Sequence, residues 1–101
     1  NGFHSVQHNK LIQSGLYRYF KSVTTSEEVG AKKPNPLIFK AALAKAKAKP
    51  EESLMIGDTF EADILGAESL GINTLFFNYW SVDVPENYRV IQDIREIKLH
   101  L

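Results

Sequence analysis

The sequence of 101 residues contains no cysteine. Disulfide frameworks, thiolate nucleophiles and cysteine-based zinc sites are therefore excluded for this chain. The sequence also has no excess charge of either sign, because 12 Lys and Arg balance 12 Asp and Glu. A surface for nucleic acid or an anionic membrane needs a clear basic excess, so we expect neither of these as a partner.

Long apolar runs and secretory leader patterns are also missing, and we therefore expect a soluble, cytoplasmic protein. The hydrophobic share of 44% and the aromatic share of 11% are ordinary for a folded domain and argue against a disordered chain. A chain of this length has room for one domain.

Strand-like and helix-like patterns alternate along the chain. Short apolar or β-branched runs predict strands at Ser22–Thr25, Leu54–Ile56, Thr74–Phe77 and Arg89–Ile91. Capping signals and helical spacing predict helices at Val6–Ser14, Pro36–Lys49, Phe60–Leu70 and near Ile94–Leu101. On the third helix we expect Ile64, Leu65 and Ala67 to face the core. The alternation indicates parallel βαβ units and an α/β three-layer domain.

Three charged side chains follow the predicted strands. Lys33 lies in the loop after the first strand, Asp58 lies at the end of the second, and Asp63 lies in the first turn of the next helix. Ligands of open α/β sheets bind at the carboxyl ends of the strands. One cation and two carboxylates at that edge would suit a phosphate group together with a hard divalent metal ion.

Each of these residues also has a purely structural explanation. Asp58 could cap the helix that follows, and Asp63 could interact favourably with the helix dipole. Lys33 could be a surface lysine beside Lys32. The joint pattern favours a site, because a lysine directly before a proline is followed by an apolar strand that runs into Gly-Asp-Thr, with a second aspartate five positions later.

The segments KKPNP and LMIGDTFEADILGA resemble the third and fourth motifs of the haloacid dehalogenase-like (HAD) hydrolase superfamily, and the opening NGF resembles the end of its second motif. SEEVGAKKPNPLIF and GDTFEADILGA are especially similar to the branch of phosphatases that includes pyrimidine 5′-nucleotidases. The resemblance extends from Asn1 to about Asn78. It implies a Rossmann-like α/β three-layer sandwich with a parallel sheet, of which residues 1–101 form the C-terminal part of the core domain.

The resemblance further implies a magnesium-dependent phosphate-monoester hydrolase that acts on a small phosphorylated metabolite through an aspartyl-phosphate. Lys33 matches the lysine that holds the charge of nucleophile and phosphate. Asp58 matches the metal-binding carboxylate, and Asp63 matches the second acid, which orients the lysine or a metal-bound water. Asn1 and Gly2 would border the phosphate-binding turn and contribute amide and backbone donors.

The family's nucleophile lies in a first motif with two aspartates, and this chain contains no Asp-x-Asp. The resemblance therefore implies an incomplete core, without the N-terminal strand and the nucleophile motif, that would be inactive by itself. Its unpaired apolar strand edges would favour self-association by strand exchange. The alternative is a non-catalytic module that keeps this core and binds phosphate or a partner.

Overall fold

Residues 1–101 are all described by the computed structural model, in which the chain divides into two units, Asn1–Lys49 and Pro50–Leu101. The first unit is helical. Its elements are α1 (His4–Gln13), a 3₁₀ turn (Tyr17–Tyr19), α2 (Ser26–Val29) and α3 (Pro36–Ala46). None of the helices in either unit combines the length and the apolar character needed to cross a membrane.

Helix α3 begins where the sequence predicts and ends three residues before the predicted limit at Lys49. The Asn35 side chain accepts a hydrogen bond from the Leu37 N–H at 3.0 Å, and Pro36 occupies the first helical position. Both residues are favoured at these places, because the cap accepts an otherwise unpaired N–H and proline has none to lose. The helix ends at Ala46, ahead of Pro50.

The strand predicted at Ser22–Thr25 is wrong, because this segment has no regular secondary structure and joins no strand of the sheet. Its polar groups serve helices instead. The Thr25 hydroxyl accepts a hydrogen bond from the Glu28 N–H at 3.3 Å and caps α2. The Val23 carbonyl accepts one from the Lys45 ammonium at 2.6 Å. β-Branched residues favour a strand where a neighbouring strand packs against them. Here Ser22–Thr25 joins no sheet, and its last residue, Thr25, caps α2 instead.

The second unit contains the sheet. Its elements are a 3₁₀ turn (Pro50–Glu52), β1 (Leu54–Gly57), a π-helix (Phe60–Leu65), α4 (Gly66–Glu68), β2 (Asn73–Phe77), β3 (Val90–Ile91) and a 3₁₀ helix (Ile94–Leu99). The strands have the order β1-β2-β3 and all pair in parallel, with Ile56 opposite Leu75. The predicted α/β class and parallel sheet are therefore confirmed.

Apolar side chains from the sheet and from the helical segment before β2 form the core of the second unit. They are Ile64, Ala67, Ile72, Leu75, Phe76 and Ile91. Leu65 was expected among them but is 41% exposed. The buried residues Asp63, Ile64 and Ala67 recur at positions i, i+1 and i+4, which places them on one helical face and Leu65 on the opposite one.

Strand β1 lies at one edge of the three-stranded sheet. Its four residues are half-buried, whereas the apolar run Leu54–Ile56 predicted a buried strand. An edge strand has a sheet neighbour on one side only, so its side chains are covered less completely. Self-association through such an edge stays a prediction.

Candidate functional site

Asp58 lies in the turn directly after β1. Its side chain is exposed, and Oδ1 lies 3.4 Å from the Thr59 hydroxyl oxygen. The π-helix that follows has Thr59 as its N-terminal cap residue, and no side chain caps it there. Asp58 is thus an exposed carboxylate at the carboxyl end of a parallel strand, and it does not serve as a helix cap.

Asp63 closes the same turn from the helical side. Its side chain is buried, with 3% of the residue exposed, and Oδ2 accepts a hydrogen bond from the Thr59 N–H at 3.1 Å. A Cβ atom at position 57 would overlap the Asp63 side chain, so Gly57 lets the carboxylate pack against the end of β1. Asp63 therefore orients the turn that carries Asp58.

The sequence interpretation missed the part that Gly57 plays. The signal was present, since a glycine stands directly between the apolar run Leu54–Ile56 and Asp58. A glycine inside or at the end of a strand often marks a close approach of other atoms to the backbone. In this case the approaching group is the carboxylate of Asp63.

Asp58 offers carboxylate oxygens, the ligand type that hard divalent cations prefer. The structure contains no group of three or more His, Cys, Asp or Glu side chains that could hold a metal ion. Magnesium keeps several waters and binds through one or two carboxylates. An exposed Asp58 on a turn fixed by Asp63 has the donor chemistry for that mode of binding.

In the first unit, the side-chain amide of Asn1 forms two hydrogen bonds with the backbone of Lys33. The Lys33 N–H donates to Asn1 Oδ1 at 2.8 Å, and Asn1 Nδ2 donates to the Lys33 carbonyl at 3.5 Å. Lys33 is half-buried, whereas the neighbouring Lys32 is exposed. Two residues predicted for a phosphate site are therefore adjacent, with the amide of one paired with the backbone of the other.

Gly2 is anchored next to them by Ser26. The Gly2 N–H donates to Ser26 Oγ at 2.8 Å, and Ser26 Oγ lies 3.3 Å from the Gly2 carbonyl, to which it donates. The N–H of Gly2, expected as a phosphate donor, thus has a partner within the protein. Its role at a phosphate site stays a prediction.

No element predicted from the sequence includes Ser26, and no function was assigned to it. The structure shows it as the first residue of α2, 5% exposed, after the cap residue Thr25. The signal for this helix was available, because Thr25 and Glu28 have the spacing of a capping box. Gly30 ends the helix with a φ of 80°, a left-handed conformation that glycine adopts readily.

A cavity of about 400 Å³ lies beside this anchored dipeptide. Asn1, Gly2 and Ser26 line it, and Glu27 and Lys32 contribute one charge of each sign to its wall. Asn1 and Gly2, which were predicted to border a phosphate-binding turn, therefore line a cavity in the first unit.

The predicted site residues form two local groups. Asn1, Gly2 and Lys33 lie in the first unit, joined by the hydrogen bonds given above, and Asp58 and Asp63 lie at the end of β1 in the second unit. The meeting of the lysine and the two acids around one ion stays a prediction.

Comparison with known proteins gives a family. A model of the haloacid dehalogenase-like hydrolases matches residues 1–71. The chain is 38% identical, over 97% of its length, to a glyceraldehyde 3-phosphate phosphatase of Methanothermobacter thermautotrophicus, of which it covers 47%. It is 44% identical, over 85% of its length, to a pyrimidine 5′-nucleotidase of Escherichia coli, of which it covers 39%.

Solved structures agree with these sequence relatives. An HAD phosphatase from Thermococcus onnurineus superposes with a TM-score of 0.83 at 32% identity, over 93% of this chain and 44% of that one. An HAD hydrolase from Bacillus subtilis, bound to magnesium, superposes with a TM-score of 0.86 at 30% identity, over 99% of this chain and 44% of that one. The chain thus spans less than half the length of each of these four proteins. Matched by the family model over more than half its residues, it belongs to the haloacid dehalogenase-like hydrolases.

Proposed function

We propose that this chain contributes the lysine and the acidic residues of a magnesium-dependent phosphate-monoester hydrolase. The observation that supports the proposal is the turn after β1, which presents an exposed Asp58 at the carboxyl end of a parallel strand. The buried Asp63 accepts a hydrogen bond from this turn, and Gly57 leaves room for the Asp63 side chain. Membership of the family supports it, because the two curated relatives named above are a phosphatase and a nucleotidase.

Each residue has a distinct part in the proposed site. The Lys33 ammonium would neutralise charge on the phosphoryl oxygens, while the Asn1 amide holds the backbone of Lys33. Asp58 would hold the magnesium ion, and Asp63 keeps its turn in place. A bound magnesium ion supplies further positive charge to a phosphoryl group in transfer.

The nucleophile of the proposed reaction is outside these residues. The chain contains no Asp-x-Asp, and it spans less than half of its relatives. We propose that residues 1–101 are the C-terminal part of the core domain and that an aspartate from another segment attacks the phosphorus. The alcohol would leave as the aspartyl-phosphate forms, and water would then hydrolyse the aspartyl-phosphate to regenerate the carboxylate. The cytoplasmic location stays a prediction.

Small phosphorylated metabolites are the proposed substrate class. The named relatives suggest two kinds to test, a triose phosphate such as glyceraldehyde 3-phosphate and the pyrimidine nucleoside 5′-monophosphates. A panel of both kinds, with sugar phosphates of intermediate size, would identify the substrate.

The first experiment measures phosphate release by the complete gene product that contains these residues, with and without magnesium. We expect hydrolysis of at least one ester in the panel and no hydrolysis without a divalent cation. Asp58→Asn should lower kcat/KM at least ~10²-fold, the size of loss seen when one group that stabilises transition-state charge is removed. Asp83→Asn, which changes an exposed loop carboxylate in the same way, should leave kcat/KM unchanged.

The absence of turnover on every ester would contradict the proposal and favour the non-catalytic binding module. A second measurement separates metal binding from turnover. Magnesium added to the 101-residue chain should shift the NMR signals of the Asp58 and Thr59 amides, and Asp58→Asn should abolish this shift.

A further inference from the structure

Two reciprocal hydrogen-bonded pairs fasten the dipeptide Asn1–Gly2 to the segment that runs from Ser26 to Lys33. The Ser26 hydroxyl pairs with both backbone groups of Gly2, at 2.8 and 3.3 Å. The Asn1 amide pairs with both backbone groups of Lys33, at 2.8 and 3.5 Å. The two pairs involve neighbouring residues of the dipeptide and are therefore joined through a single peptide bond.

Ser26 is a buried residue with hydrogen bonds from both its side chain and its backbone. It is 5% exposed, and its carbonyl accepts hydrogen bonds from the Gly30 N–H at 2.8 Å and the Ala31 N–H at 3.2 Å. One residue therefore holds the dipeptide with its side chain and the chain leading to Lys33 with its carbonyl. Loss of the hydroxyl would leave two backbone groups of Gly2 without their partner, which is costly in a part-buried place.

We propose that Ser26 is a positioning residue for Lys33, acting through Asn1–Gly2. The catalytic consequence rests on the proposed function, in which the Lys33 ammonium neutralises phosphoryl charge. Ser26 itself touches neither reacting group. Its effect is geometric, because misplacement of a catalytic group by about 1 Å can lower a rate ~10²-fold.

The first test uses amide hydrogen exchange in the complete gene product and needs no activity. Ser26→Ala removes only the hydroxyl, and we expect protection to fall at least ~10-fold at the Gly2 amide, which loses a hydrogen bond of about 1 kcal/mol or more. We expect the same fall at the Lys33 amide, which Ser26 does not touch. Ser69→Ala is the matched control, because that hydroxyl donates to the Gly66 carbonyl at 2.7 Å in the other unit.

Two results of the exchange experiment would overturn the proposal. Loss of protection at Gly2 with Lys33 unchanged would show that the two pairs are not coupled. An equal loss over all amides of α1, α2 and α3 would show that Ser26 only stabilises the unit. If Ser26→Ala does not fold, Asn1→Ala takes its place, because it removes the side chain that pairs with the Lys33 backbone. Coupling predicts that protection then falls at the Gly2 amide as well as at the Lys33 amide, and a Gly2 amide that keeps its full protection would overturn the proposal.

The second test measures kinetics in the complete gene product. Ser26→Ala should lower kcat ~10- to 100-fold with KM changed less than ~3-fold, and Ser26→Thr, which keeps the hydroxyl, should restore most of kcat. Ser69→Ala should behave as the unchanged protein. Normal kcat in Ser26→Ala would overturn the positioning role while leaving the proposed function intact. A gene product without any turnover would overturn the proposed function, and the exchange result would then decide the coupling by itself.

Discussion

The two units of this chain differ in the interactions that stabilise each of them. In the second unit, the helical segment and the middle and far strands of the sheet contribute buried apolar side chains. Four of these residues have no exposed surface: Ile64, Ala67, Leu75 and Ile91. In the first unit, only Ile38 and Phe39 are buried apolar residues, while Thr25 and Ser26 are buried polar ones. The second unit therefore relies on hydrophobic burial, and the first relies more on hydrogen bonds between side chains and backbone.

The difference extends to the candidate site residues. Lys33 is placed by two hydrogen bonds between its backbone and the side-chain amide of Asn1, which lies 32 positions earlier in the sequence. Asp58 is placed by local packing, since Asp63 and Gly57 lie within a few residues of it. We expect the acidic group to tolerate loss of single hydrogen bonds, and the lysine group to be sensitive to them.

The largest effect on stability is expected for Phe76→Ala. Phe76 is 1% exposed and packs edge-on against Phe60, with ring centroids 5.4 Å apart. Truncation should lower the free energy of unfolding by about 3–5 kcal/mol, because a cavity is left in the core. Urea denaturation measures this, with Phe3→Ala as the control, since Phe3 is 70% exposed. Equal losses in the two variants would contradict a core centred on the sheet.

A smaller loss in the free energy of unfolding is expected for Gly57→Ala. The new methyl group would overlap the Asp63 side chain, and overpacking of this kind costs about 1–3 kcal/mol. Displacement of Asp63 should also release the Thr59 N–H, which hydrogen exchange at that single amide detects. A variant with unchanged stability and a protected Thr59 amide would show that packing does not hold this turn.

Thr25→Val tests the polar first unit. The change keeps the shape of a side chain that is 4% exposed but removes the oxygen that caps α2. The loss of a helix cap should lower the free energy of unfolding by about 1 kcal/mol. Thr24→Val is the control, because the neighbouring threonine is not the cap residue of α2. If both variants were equally stable, the cap would not matter to the unit.

The smallest effect concerns the ion pair between Glu28 and Lys45, whose charged atoms lie 2.6 Å apart on partly exposed side chains. The hydrogen bond from Lys45 lowers the pKa of Glu28 below its ordinary value. The stabilising contribution of the pair is therefore complete above about pH 4.3, the ordinary glutamate value, and is lost as the pH falls through the lowered pKa.

Thermal unfolding at several pH values tests this ion pair. The difference in Tm between the unchanged chain and Glu28→Gln should be present at neutral pH and should shrink under acid conditions. Glu86→Gln, at an exposed position of the second unit, should show no such trend. A difference that grows as the pH falls would have the wrong sign for a lowered pKa.

The sequence predicted the elements that local patterns determine and missed contacts between residues that are distant in the chain. The apolar strands β1 and β2 and the start of α3 were readable, because local periodicity and a cap determine them. The prediction for Leu65 was wrong, because Ile64 and Ala67 share the buried face and Leu65 lies opposite it. The role of Ser26 was not readable, because its partner Gly2 lies far away in sequence and only the folded chain brings the two together.

The sequence pattern predicted Asp58 at the end of a strand and Asp63 in the first turn of the next helix, and the structure has β1 end at Gly57 and the π-helix begin at Phe60. The roles of Asp58 and Asp63, and of Asn1 and Lys33, in a site stay predictions. The Asn1 amide faces the Lys33 backbone, a contact that the motifs alone do not specify.

In the proposed function, Lys33 acts on the phosphoryl group whereas its neighbour Lys32 does not. The most direct test is kcat/KM for phosphate-ester hydrolysis by the complete gene product in the presence of magnesium, compared between Lys33→Ala and Lys32→Ala. The two changes remove the same charge one residue apart, the first from a half-buried and the second from an exposed position. We predict a loss of ~10²-fold or more for Lys33→Ala, the magnitude expected for a group that stabilises transition-state charge, and less than ~3-fold for Lys32→Ala. Equal activity of the two variants would contradict the account.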